Sequence, residues 1–282
     1  MKGNQQTTAS CGLYDAHNHL QDERLASLLD SLPATLEQQN IRKMVVNGSC
    51  EEDWPAVHAL AQKFPNEVIP SFGYHPWHVK ERSANWQQTL LTFLNETPSA
   101  VGEIGLDRWI KDYNIEDQEQ VFIWQLRLAA ERNLPVSIHC LEAWGKLFDL
   151  LRVESRPHCG FLLHSYGGPK EMIKPLTELG AYFSLPGYFA HERKSRQREV
   201  FRHVPIERLL IETDAPDQSL PPELVRYECN DPKSGKLVNH PANLAAVYEF
   251  AAELVSLPLD QFVPRVEANF RELFGVLLNA KN

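Results

Sequence analysis

A chain of 282 residues, 43% hydrophobic and 23% charged, carries enough apolar side chain for a substantial core and is not disordered by composition. Its net charge of −9 excludes the broad basic face that coats nucleic acid regardless of sequence, but not a site that grips a few phosphates. No run approaches the roughly eighteen apolar residues of a membrane span and residues 1–10 contain no apolar signal segment, so the expected location is cytoplasmic.

Residues 1–11 read as a polar lead-in and residues 12–282 as one domain. The stretch Gly12 to Leu20 is a short strand that carries His17 and His19, two residues apart and therefore on one face. Leucines at helical spacing follow over 23–39, with a break at Pro33, and 43–48 is a second strand. Helix 54–64, strand 68–73, helix 86–94 and strand 100–104 come next, the last holding Glu103. The clearest helical pattern covers 116–133, before strand 135–139 ending on His139, helix 143–151 and strand 160–164 ending on His164. Helix 172–179, strand 181–185, a charged helix at 195–203 and strand 209–214 ending on Asp214 complete eight strand–helix steps, and helices at 243–254 and 259–278 finish the chain.

Steps of roughly 30 residues are the size of βα units, and strands that look buried on both faces favour closure into a single-domain α/β (β/α)8 TIM-type barrel. A doubly wound open sheet is the alternative, but Gly-x-Gly-x-x-Gly is absent and ligand-type residues end both the first and the last strand. Five cysteines, Cys11, Cys50, Cys140, Cys159 and Cys229, lack CxxC spacing and read as small buried hydrophobes, not as a disulfide framework.

In such a barrel His17, His19, Glu103, His139, His164 and Asp214 converge at the C-terminal strand ends. Four imidazoles and two carboxylates exceed one tetrahedral ion and suit two metals about 3.5–4 Å apart. Glu103 is the natural bridge, and Asp214 can both hold an ion and accept a proton from metal-activated water. Singly, each histidine reads more readily as structural than as a ligand, and Glu103 as a salt-bridge partner. Charged groups closing separate apolar strands, however, cost free energy unless paired or metal-bound.

The segments Asp15-Ala16-His17-Asn18-His19-Leu20, Gly73-Tyr74-His75-Pro76, Gly102-Glu103-Ile104-Gly105-Leu106-Asp107, His164-Ser165-Tyr166-Gly167-Gly168 and Glu212-Thr213-Asp214-Ala215-Pro216 resemble, in order, the signatures of the TatD family, metal-dependent hydrolases of the amidohydrolase superfamily described as deoxyribonucleases. Residues 267–274 resemble its C-terminal helix. The resemblance implies a (β/α)8 barrel and a two-metal site, with His17, His19 and Asp214 on one ion, His139 and His164 on the other, and Glu103 between them. The chain departs from the family's pattern at Leu141, where an arginine is usual, at His240 in Asn239-His240-Pro241, and in a long 217–238 loop.

The expected activity is a divalent-metal phosphodiesterase, a 3′–5′ exonuclease on single-stranded DNA, with two ions drawn from Zn, Mn, Mg or Fe. Amide, lactone or ester hydrolysis is the alternative, and a non-catalytic metal-binding barrel a third reading. His75 is a phosphate contact that is not a ligand, or a hydrogen-bonded turn histidine. Arg193 and Lys194, in the densest basic stretch, either hold a phosphate away from the scissile one or belong to a solvated helix face. No protein partner is inferable.

Overall fold

A computed structural model describes residues 11–278, so the expected lead-in lies, up to residue 10, outside the described residues. Eight parallel strands run in sequence order: β1 (Leu13–Asn18), β2 (Ile41–Asn47), β3 (Val68–Phe72), β4 (Ala100–Asp107), β5 (Val136–Leu141), β6 (Phe161–Leu163), β7 (Ala181–Pro186) and β8 (Leu209–Glu212). Sequential order without a reversal excludes the doubly wound sheet. Beyond its last residue β8 returns to β1: Asp214 N–H donates to His17 C=O at 3.0 Å and His19 N–H to Ala215 C=O at 2.8 Å. The strands β3, β4, β6, β7 and β8 are buried at every position, as a parallel sheet covered on both faces requires.

The covering helices are α1 (Leu32–Gln38), α2 (Trp54–Lys63), α3 (Trp86–Glu96), α4 (Ile115–Arg132), α5 (Trp144–Val153), α6 (Ile173–Glu178), α7 (Ser195–Phe201), α8 (Leu244–Leu254) and α9 (Leu259–Leu278). The longest interior one, α4, is started by Asn114, whose side chain accepts from Asp117 N–H, with Glu116 and Asp117 in its first turn. It stops at Asn133, which takes the left-handed conformation at φ 50°. The helix read over 23–39 is interrupted: a 3₁₀ turn spans Glu23–Leu28, and α1 begins at Leu32 with Pro33 in its first turn. Proline is tolerated there because its missing N–H has no helical partner anyway.

Two boundaries and one loop differ where they matter. β4 does not stop at 104 but continues to Asp107, so Glu103 lies inside the strand. β8 ends at Glu212, and Asp214 sits two residues beyond it with φ 52°. The long loop carries a small antiparallel hairpin, β9 (Glu228–Asn230) and β10 (Leu237–Asn239), tied back by Asn239 Nδ2 donating to Thr213 C=O at 2.7 Å. Among the described residues no helix is long and apolar enough to cross a membrane. None of the five cysteines is bridged; Cys140 and Cys229 are buried as expected, whereas Cys11 is exposed.

Candidate metal centre

The C-terminal strand ends enclose a cavity of about 870 Å³ whose floor holds His19, His75, Glu103, His139, His164 and Asp214. Glu103 owes its position to a close approach of β4 to the end of β3. A Cβ on Gly73 would stand 2.6 Å from the Gly102 carbonyl carbon, so only glycine lets the two chains meet.

The Glu103 carboxylate faces two sets of imidazoles. Oε2 lies 3.3 Å from both His17 Nε2 and His19 Nε2, which are themselves 3.3 Å apart. Metal–ligand bonds of roughly 2.0–2.1 Å give a tetrahedral site edges of about 3.3 Å, so this triangle has the size of one face of a zinc-type site. Asp214 Oδ1 is 3.6 Å from each of the two imidazoles. On the other side, Oε1 lies 2.8 Å from His164 Nε2 and 3.1 Å from His139 Nδ1, which are 3.2 Å apart.

Hydrogen bonds on the far ring nitrogens decide which lone pairs are free. His19 Nδ1 meets Asn47 C=O at 2.8 Å and His139 Nε2 meets Asp107 Oδ2 at 3.0 Å, so both must donate there. In the neutral rings His19 Nε2 and His139 Nδ1 therefore present lone pairs to the cup. His75 is the opposite case. Its Nδ1 accepts from Trp77 N–H at 3.2 Å, which leaves the proton on Nε2, 3.3 Å from Glu103 Oε1. Although His75, Glu103 and His139 are close enough together to hold an ion, the neutral His75 ring turns an N–H and not a lone pair toward Glu103.

Charge tells the same story. Burial works against the Glu103 carboxylate, yet the imidazoles of His164, His75 and His17 hold it well below the usual carboxylate range. Burial would lower His19, but Glu103 and Asp214 push it up to about 9. Burial drives Asp214 up to about 7, with Glu212 and Glu103 adding to it and His164 and His19 opposing. The cluster thus draws positive charge to its centre. Glu103 Oε1 and His164 Nδ1 are buried without a hydrogen-bond partner. Neutral-histidine lone pairs around a shared carboxylate, with unsatisfied buried atoms, fit divalent cations.

All six sequence-predicted ligand candidates are brought together, and His75 joins them. Arg193 and Lys194 are not in this cup. Arg193 Nη2 donates to Tyr188 OH at 2.7 Å, Lys194 Nζ stands 4.7 Å from the centre of that ring, and neither lines the cavity. The cations that do line it are taken: Arg24 bonds Asp22 and Asp217, and Lys233 bonds Glu23.

Sequence reasoning missed four supporting residues. Asp107 accepts from His139 Nε2, Trp77 Nε1 and Trp109 N–H. Glu212, fully buried, accepts from the hydroxyls of Ser165 and Ser184 and lies 3.9 Å from His164 Nδ1. Gln218 Nε2 donates to Asp214 Oδ2 at 2.7 Å, and Asp15 accepts from Thr213 N–H at 2.9 Å, joining β1 to the loop that carries Asp214. Alternation puts position 107 on the same face as Glu103, a signal that becomes usable only once β4 is known to run that far.

A family model described as TatD related DNase matches residues 14–275. The 3′–5′ ssDNA/RNA exonuclease TatD of Escherichia coli K12 is 27% identical over 266 residues, 94% of this chain and 99% of that protein. The protein of that name from Edwardsiella piscicida is 32% identical over 86% of this chain and 91% of its own. The crystal structure of YjjV, a TatD homologue from E. coli K12, superposes with a TM-score of 0.83 at 27% identity, over 94% of this chain and 98% of that one. YjjV is named an uncharacterized metal-dependent hydrolase.

Proposed function

Because the chain belongs to the TatD-related DNase family, we propose that it is a divalent-metal-dependent phosphodiesterase that shortens single-stranded DNA from its 3′ end. The observation that carries this reading is the Glu103 carboxylate, faced on one oxygen by His17 and His19 and on the other by His139 and His164. The exonuclease names of the E. coli and E. piscicida relatives support the substrate class.

His17, His19 and Asp214 would hold one ion, His139 and His164 the other, and Glu103 both. Two divalent ions, of zinc, manganese, iron or magnesium, supply Lewis acidity that stabilises negative charge on a phosphoryl group and eases loss of a proton from water. Asp214 takes that proton; Gln218 holds its Oδ2, while its Oδ1 faces the two histidines of β1. His75 offers its Nε2 proton to a phosphoryl oxygen or to the leaving oxygen, because its Nδ1 is engaged by the backbone of Trp77. Arg193 and Lys194 lie outside the cavity and would meet only a strand long enough to extend past it.

A second reading, hydrolysis of a small amide, lactone or ester, draws on the acidic mouth, whose cations are already paired. Purified protein of measured metal content separates the two. Single-stranded DNA labelled at its 5′ end should shorten stepwise from the 3′ end, and chelation should stop it. Turnover of lactones or amides with DNA left intact would overturn the phosphodiesterase reading.

A further inference from the structure

The two walls of the cavity differ in chemistry. On the side built by the loops after β8, β1 and β2 stand Asp22, Glu52, Asp53 and Asp217, with Asp231 of the hairpin turn beside them. On the side built by β3, β4 and β5 stand Trp77, Trp109 and Leu141, which are 49%, 67% and 37% exposed. Trp109 and Trp77 are the most exposed aromatic side chains among the described residues, and both open onto this one cavity.

Their placement is fixed from the metal cluster outward. Asp107 accepts from Trp77 Nε1 at 2.7 Å and from Trp109 N–H at 2.6 Å, and the oxygen that takes the indole proton also faces His139 Nε2 at 3.0 Å. The Trp77 ring meets His75 edge-on, with centroids 5.1 Å apart and planes at 88°. The aromatic wall therefore begins at the candidate metal ligands and runs to solvent. The Trp77 indole held in this way offers a large apolar face at little cost in conformational entropy, and Trp109 is anchored at the same carboxylate through its backbone N–H.

We propose that Trp77 and Trp109 form a stacking site for the base of the 3′-terminal nucleotide whose phosphodiester occupies the metal cluster. The inference rests on the phosphodiesterase reading and deepens it. Any of the four bases presents a π face, so such a wall recognises a nucleotide without selecting its sequence. The acidic wall cannot replace it, because further phosphates are repelled there and Arg24 and Lys233 are already ion-paired. Attraction for a chain end then comes from the metal cluster and from the base, which limits the cup to a terminus in preference to the middle of a polyanion.

The test compares single-stranded oligonucleotides that differ only at the 3′ residue, thymidine in one and a tetrahydrofuran abasic residue in the other. Calorimetric binding of thymidine 5′-monophosphate and of deoxyribose 5-phosphate gives a readout independent of turnover. The wild type should cleave the thymidine end with a kcat/KM about tenfold higher, mostly through KM, and bind the nucleotide more tightly by a similar factor. Trp109→Ala should erase both preferences and Trp109→Phe should keep most of them; Trp109 is exposed, so neither change threatens the fold. Equal cleavage of the two ends by the wild type, or an undiminished preference in Trp109→Ala, would overturn the stacking site and leave the phosphodiesterase reading standing. Failure to cut either oligonucleotide would overturn both.

Discussion

Asp107 Oδ2 lies 3.0 Å from His139 Nε2, on the side of the ring away from Glu103. The imidazole is thereby fixed with its Nδ1 lone pair 3.1 Å from Glu103 Oε1. A carboxylate behind a histidine sets the tautomer and raises the basicity of the nitrogen offered to a metal, and loss of such a partner typically costs roughly 10–100-fold in metal affinity. Asp107→Asn should accordingly weaken the ion held by His139 and His164 by about that factor. The ion at His17 and His19 should be little affected. Stepwise metal titration of the apoprotein distinguishes the two, and unchanged affinity for both ions would remove Asp107 from the site.

Much of this arrangement was legible in the chain because the barrel has a simple grammar. Strands buried on both faces read as unbroken apolar runs, and His17, His139 and His164 stand out at their ends against that background. Asp107 was not legible in that way. Gly105 looks like the close of a strand, and nothing local says that β4 continues through it to Asp107. Trp77 and Trp109 escaped for a related reason: each follows a strand end, Trp77 in a 3₁₀ turn over Pro76–Glu81 and Trp109 in a loop, where no periodicity shows which way a side chain faces. The hairpin of β9 and β10 was equally hidden, since strands of three residues are too short to give a pattern to count.

Replacing Glu103 by Gln keeps the shape of the bridge and removes its charge. The imidazoles of His164, His75 and His17 lose the carboxylate they surround, and any cations lose a shared ligand. At least one equivalent of metal should be lost, and activity should fall by roughly two to four powers of ten. Metal analysis alongside single-turnover rates checks this; wild-type metal content with wild-type turnover would eliminate the shared-carboxylate site.

Asp214→Asn separates proton acceptance from metal holding. The amide still offers an oxygen, and Gln218 can still reach the side chain, but the group no longer takes a proton near neutral pH. Metal content should be largely retained while kcat collapses and KM changes little. A variant that keeps most of its kcat would show that another group accepts the proton.

Arg193 and Lys194 pack on Tyr188 away from the cup, so their contribution depends on the length of the substrate. The double alanine variant should leave a dinucleotide unaffected. On a longer single strand it should raise KM and flatten the salt dependence by about one counterion per lost contact. Measuring KM against ionic strength for both lengths checks this, and identical behaviour at both lengths would assign the stretch to a solvated helix face.

His240 gives a pH dependence of stability that can be isolated from the metal cluster. Burial depresses its pKa from 6.5 to about 4, and its Nδ1 accepts from Ala242 N–H at 2.9 Å, a bond that protonation would break. Between those two pH values the unfolded chain binds a proton that the folded chain refuses, so this residue removes stability as pH falls from 6.5 through 4. By pH ~4.5 the loss amounts to about 2–3 kcal/mol, because each tenfold difference in proton affinity between the two states is worth about 1.4 kcal/mol. His240→Asn retains an acceptor at the start of the turn and cannot titrate. Urea unfolding of both metal-free proteins should give similar stabilities at pH ~7.5 and a clear advantage for the variant at pH ~4.5. The acid behaviour of the clustered histidines is common to both proteins and cancels in the difference. Parallel stability curves across this range would mean that His240 is protonated in the folded state without cost.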